Sequence, residues 1–122
     1  MTERFAPCPD SPNCVSSYAD DEAHRVDPLP LRAGDDDPLA AIRRVLASMP
    51  RTKVVTEDGD YVHVTCTSLV FRFVDDLELR LDRQNGVIHV RSASRVGNGD
   101  LGVNRRRVEK LRALLESEGK GL

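Results

Sequence analysis

The sequence predicts an α+β fold: a four-stranded antiparallel sheet of two hairpins with two helices on one face, preceded by a proline-rich N-terminal loop. Three observations lead there. Apolar residues alternate with period two between Lys53 and Arg95, interrupted by Asp58-Gly59 and Asn85-Gly86, dipeptides that favour hairpin turns. Apolar residues recur at helical spacing on either side of that region, in 39–49 and 108–115. Five of the seven prolines (Pro7, Pro9, Pro12, Pro28 and Pro30) precede Gly34, where a long helix or an internal strand is therefore not expected. At 122 residues the chain is expected to form one domain, with 1–34 as an irregular covering segment and 35–122 as an α-β-β-β-β-α core.

Within the N-terminal segment, Cys8-Pro-Asp-Ser-Pro-Asn-Cys-Val-Ser-Ser combines two prolines with the turn formers Asp10, Ser11 and Asn13. Such a stiff loop has a defined shape and is expected to lie against the domain. Its turn should bring Cys8 and Cys14 close enough to bridge when oxidised. The first helix starts with Asp37 as N-cap and Pro38 at the first helical position, carries Leu39, Ile42, Leu46 and Met49 on one face, and ends at Pro50. Strands then follow over 54–56 and 61–68, with Val62, Val64 and Cys66 on one face. In the second hairpin Phe71, Phe73, Leu77, Leu79 and Leu81 keep odd-numbered register.

A two-residue turn at Asn85-Gly86 would pair Leu81 with Val90, Leu79 with Ser92 and Leu77 with Ser94 on the inner face. On the other face it sets Asp82 against His89, Arg80 against Arg91 and Asp76 against Arg95, a mixed-charge surface. Asp75 falls in the inward register and needs a partner. A bulge could turn it outward, which is the favoured expectation, or a buried arginine or backbone amides near Val96 and Gly97 could hold it. The last helix runs from about 102–104 to Glu118, with Val108, Leu111 and Leu115 buried and Gly119 as its stop. It places Arg105, Arg106 and Arg107 at the positive end of its dipole, so these cations need compensation from Glu109, Asp100, a bound anion or the Asp75-Asp76 pair.

Charge and composition exclude several functions. A net charge of −2 argues against general nucleic-acid binding. No apolar run is long enough for a bilayer span, and residues 1–9 lack the order of a signal peptide, so a cytoplasmic location is expected. Fifteen of the eighteen basic residues are arginine, a side chain suited to carboxylate and phosphate. The strand end, glycine loop and helix start over 91–107 concentrate five of them, which points to an anion site. Zinc is not expected, since five residues separate Cys8 from Cys14 and the three histidines are scattered. Cys66 reads as core filling, and no phosphate-binding P-loop signature is present.

Cys8-Pro-Asp-Ser-Pro-Asn-Cys-Val-Ser-Ser, Phe73-Val-Asp-Asp, Arg91-Ser-Ala-Ser-Arg-Val-Gly and Asp100-Leu-Gly-Val-Asn-Arg occur in this order, and together they resemble the domain-of-unknown-function family 1499 over nearly the whole chain. The resemblance implies a small domain of bacteria and plant plastids with no established activity. Many relatives carry an export or membrane-anchor segment that this sequence lacks, so free thiols at Cys8 and Cys14 are expected here. The matching residues are mostly polar and are expected at loops and strand ends. From them Arg91, Arg95, Asp75, Asp76, Ser92, Ser94, Asp100, Asn104, Arg105, Cys8, Asp10, Asn13 and Cys14 form the candidate ligand-binding set.

The leading expectation is a non-catalytic binding or accessory module for a small anionic molecule or the acidic segment of a protein partner. Two alternatives stand beside it. One is an enzyme using Asp75, Asp76, Arg91 and Arg95 in a cleft; the other is a structural domain in which arginines clamp the N-terminal loop. No cofactor is identified by any motif.

Overall fold

The structure, a computed structural model, describes residues 5–31, 37–97 and 101–119. Six strands and two helices follow in the order β1 (Cys14–Ser16), β2 (Leu29–Pro30), α1 (Pro38–Ser48), β3 (Thr52–Asp58), β4 (Tyr61–Thr67), β5 (Val74–Asp82), β6 (Val87–Ser94) and α2 (Val103–Gly119). The sheet is ordered β1-β6-β5-β4-β3 and every pairing is antiparallel, with β2 also on the outer edge of β6. The α+β class and the two hairpins are as expected, but the sheet has six strands and not four. The added pair, β1 and β2, is three and two residues long, with Pro12 shortly before β1 and Pro28 and Pro30 bracketing Leu29, too short for a period-two pattern. Pro30 is tolerated because an edge strand has a side that needs no donor.

Both helices cover one face. Ile42, Val45 and Leu46 of α1 and Val108, Leu111 and Leu115 of α2 pack on Val62, Val64, Leu77, Leu79, Leu81, Ile88 and Val90, the inward residues of the central strands. Asp37 caps α1, its carboxylate accepting the Ala40 amide at 3.1 Å. The first hairpin turns at Gly59-Asp60, with Asp58 opposite Tyr61 and Gly59 at φ +59°.

The second hairpin departs from the expected register. Leu79 faces Val90, Leu77 faces Ser92 and Leu81 faces Ile88, while Asp82 pairs with Val87 across a four-residue loop. Asp82 accepts the Asn85 amide at 3.1 Å and the Asn85 side-chain NH2 at 2.8 Å, which pulls Asn85 into the loop and leaves Gly86 at φ +68°. A shift of two residues keeps every side chain on its face, so the inside and outside assignments survive. It also sets Glu78 against Arg91 and separates Arg80 from that like charge.

Two further expectations fail locally. β5 starts at Val74, so Phe71 and Phe73 belong to a reversal, in which the Ser68 amide donates to the Phe73 carbonyl and the Phe73 amide to Ser68 Oγ. The tip of that reversal carries no glycine; Arg72 takes the left-handed conformation at φ +60° instead, which hides the turn from a sequence pattern. Asp75 is not turned outward by a bulge. It continues the inward register opposite Ser94 and Cys66 and is buried.

Candidate functional site

A buried polar chain crosses one end of the sheet beneath the N-terminal loop. It begins at Asp75, whose Oδ2 is 2.8 Å from Arg107 Nη2. Arg107 Nη1 donates to Asn104 Oδ1 at 2.8 Å and to Ser92 Oγ at 3.2 Å, and Ser92 Oγ donates to the same Asn104 oxygen. The Asn104 amide nitrogen donates onward to Ser94 Oγ and to the Asn13 carbonyl, and the Asn13 side chain donates to the Gly97 carbonyl at 2.6 Å. Each strong donor and acceptor finds a partner, as an interior without water requires. Asp75, Ser92, Asn104 and Asn13 are all buried.

The disulfide Cys8–Cys14, with Cα atoms 5.7 Å apart, holds the loop that this chain supports. The expected proximity of the two cysteines is thus present, and they are bonded where free thiols were expected. Ser11 Oγ donates to Asn13 Oδ1, and the Ser11 carbonyl faces His24 Nε2 at 2.9 Å. That carbonyl, followed by the Asp21 carboxylate on the other ring nitrogen, raises the His24 pKa.

The arginines of α2 hold the same cover from outside. Arg105 donates to the carbonyls of Arg25 and Ala23, and Arg112 to those of Pro28 and Asp27. Glu109 pairs with Arg112 rather than Arg105. Compensation of the cations at the start of α2 therefore comes from Asp75 for Arg107 and from backbone carbonyls for Arg105 and Arg106.

The remaining candidate residues lie on the outer face, half covered by Phe5 and Tyr18. Phe5 packs against the rings of Tyr18 and Tyr61, so this is not a freely solvated surface. Arg95 grips Asp76 with two bonds of 2.8 and 2.9 Å, and His63 approaches the same carboxylate at 2.7 Å. The Arg95 contact, then that of His63, holds the Asp76 pKa below the usual carboxylate range. Arg91 is more loosely held, 3.6 Å from Glu78 and 3.4 Å from the Pro7 carbonyl, with its Nε buried and unpartnered.

The structure accordingly brings together Asp75, Ser92, Ser94, Asn104 and Asn13, with Cys14 beside them on β1. Arg91, Arg95 and Asp76 stay on the opposite face, so Asp75 and Asp76 cannot act as one carboxylate pair. Asp10 is exposed, and Asp100 lies outside the described residues.

Two arrangements were not anticipated. Ser17 Oγ lies 2.9 Å from His89 Nδ1, and His89 Nε2 lies 3.7 Å from Asp82, in the order of a nucleophile, base and acid. The Ser17 hydroxyl, however, also accepts the Val90 amide at 2.9 Å while its own amide donates to the Val90 carbonyl. It is buried and serves as the link extending β1 along β6.

The other is a cleft of about 400 Å³ between the end of α1, the start of α2 and the β4–β5 end of the sheet. Asp75 and Arg107 lie in its wall with Cys66, and Arg51, Arg106 and Lys110 also line it. The single carboxylate, Asp75, is already paired with Arg107, whereas Arg51, Arg106 and Lys110 face no carboxylate among the described residues. Burial pushes the Cys66 thiol pKa up, which keeps it a protonated, unreactive wall group. Sequence alone could not assemble this cleft, because Arg51 follows α1 while Arg106 and Lys110 lie on α2.

Among the described residues, no group of three His, Cys, Asp or Glu side chains is placed to hold a metal, and no helix is long and apolar enough to cross a membrane. Residues 4–115 match the family described as Protein of unknown function (DUF1499), and the chain belongs to that family. No curated protein and no solved structure matches it.

Proposed function

We propose that this domain is a non-catalytic binding module, and that the cleft lined by Arg51, Arg106 and Lys110 takes a small anionic ligand or an acidic side chain of a partner. One observation carries the reading: three cations converge on a cavity whose only carboxylate among the described residues is neutralised by Arg107. The cleft walls also include Met49, Leu69 and Val103, so an anion entering it would be partly shielded from water. The start of α2 lies at the rim and adds its positive dipole end.

Neither the thiol nor the carboxylate in the described lining is free to react. The Cys66 thiol is held protonated and Asp75 is committed to an ion pair, which favours binding over catalysis. Thermal shift with inorganic phosphate and citrate tests the reading. Stabilisation by either anion should disappear in Arg106→Glu/Lys110→Glu and persist in Arg95→Ala; stabilisation unaffected by the cleft substitutions would refute it.

A structural reading has its own supporting observation. Arg95 and Arg105, two candidates for the anion site, are already engaged by Asp76 and by the carbonyls of Ala23 and Arg25. On that reading the family motifs specify a clamp for the N-terminal cover, and the cleft is incidental to it.

A further inference from the structure

The reversal between β4 and β5 exposes four large apolar side chains in one short stretch: Leu69 at 66%, Val70 at 75%, Phe71 at 74% and Phe73 at 53%. Phe71 and Phe73 stack with centroids 5.6 Å apart, so they present one continuous apolar surface. Leaving such a surface in water is unfavourable, and a patch of this kind marks a site of interaction. The reversal is closed at its base by the paired Ser68 and Phe73 bonds, which gives the exposed segment a fixed shape.

Charge around this tip is asymmetric. Arg72 sits within it, and Arg51 stands at its base, donating to the Thr67 carbonyl, while Arg106 lines the neighbouring cleft with Leu69. None of the three pairs with a carboxylate among the described residues. Asp58, Asp60 and Asp82 lie at the other end of the sheet, where β3–β4 and β5–β6 turn; Asp60 is paired there with Arg83, which leaves Asp58 and Asp82 as that end's excess acids. A chain of net charge −2 therefore turns a basic, apolar end one way and a mildly acidic end the other.

We propose that the Leu69–Phe73 tip docks on the surface of an anionic lipid bilayer. The apolar side chains would enter the boundary between headgroups and acyl chains, with Arg51, Arg72 and Arg106 against the lipid phosphates. A bilayer needs no complementary pocket, which suits a projecting hairpin tip better than a groove-bearing protein partner would. Charge complementarity selects an anionic surface over a neutral one, and the acidic far end is repelled from it. This inference rests on the tip and is independent of ligand binding in the cleft, although Arg51 and Arg106 border both.

Co-sedimentation of the whole chain with vesicles of phosphatidylcholine, alone or with one third phosphatidylglycerol, tests it. The bound fraction should be at least about tenfold higher on the anionic vesicles and should fall as salt is raised. Val70→Glu/Phe71→Glu should abolish that binding, and Arg72→Glu should weaken it severalfold, while the anion-dependent thermal shift of the cleft is retained. The tip side chains are exposed, so both variants should melt as the parent does. Equal sedimentation with both vesicle types, or none with either, would overturn the proposal. So would a concentration-dependent dimer abolished by Phe71→Glu, because a second copy of the chain would then be what covers the tip.

Discussion

Asp75 and Arg107 form an ion pair of 2.8 Å between side chains that are only 11% and 13% exposed, joining β5 to α2 across the sheet end. Removing one partner leaves the other charge buried and uncompensated. Asp75→Asn and Arg107→Met should each destabilise the fold by about 3 kcal/mol or more. Combined as Asp75→Asn/Arg107→Met, the loss should be well below the sum of the single losses. Urea unfolding of the three variants and the parent measures this, and additive losses would show that the pair is not coupled.

Asn104 is the branch point of the same network, receiving from Ser92 and Arg107 and donating to Ser94 and the Asn13 carbonyl. Asn104→Ala should cost roughly 2–4 kcal/mol, since several buried groups lose a partner at once. Asn104→Asp should also be destabilising, because it replaces two donors with an acceptor facing the Asn13 carbonyl. Hydrogen exchange should quicken first in Asn13–Ser17, the segment this side chain tethers.

Most of the fold is legible because amphipathic period survives in any tertiary context: Ile42 and Leu46, or Leu77, Leu79 and Leu81, announce their buried faces in the sequence. What escapes reading depends on side chains competing with local preference. Asn85-Gly86 favours a two-residue turn, yet the Asp82 carboxylate captures Asn85 and lengthens the loop. β1 and β2 gain their bonds from β6 and have no pattern of their own. The anion site read around Arg91–Arg107 locates many of the motif residues at one sheet end, but their partners are internal. Asn104, Ser92 and Asn13 bond to one another beneath the N-terminal cover, and sequence cannot distinguish such an internal network from a ligand site.

Reduction of Cys8–Cys14 should lower stability by roughly 2 kcal/mol, the chain-entropy estimate for so short a loop. Because Asn104 and Arg105 hold the cover independently, the reduced chain should still fold. Thermal melts with and without dithiothreitol, compared with Cys8→Ser/Cys14→Ser, check this; complete unfolding on reduction would mean that the side-chain clamp alone is insufficient.

Stability should respond to pH through His24 and Asp76 in opposite senses. His24 has its folded pKa raised, first by the Ser11 carbonyl and then by Asp21, with Asp10 adding a weaker pull. Its contribution is therefore complete below the unfolded value of about 6.5 and is lost as pH rises through the folded one. Asp76, lowered chiefly by Arg95, contributes above the unfolded value of about 3.9 and loses that contribution as pH falls through its folded value. The melting-temperature difference between the parent and His24→Asn should shrink from about pH 6 to pH 8, and that between the parent and Asp76→Asn should shrink on acidification below about pH 4.

The binding reading is tested most directly by an amide chemical-shift titration of the oxidised protein with inorganic phosphate, citrate and a glutamate-rich peptide. Saturable shifts should centre on Arg51, Thr67, Leu69, Arg106 and Lys110, the residues bordering the cleft, and should vanish in Arg106→Glu/Lys110→Glu. Shifts centred instead on Arg91 and Arg95, or none that saturate with any of the three probes, would contradict it.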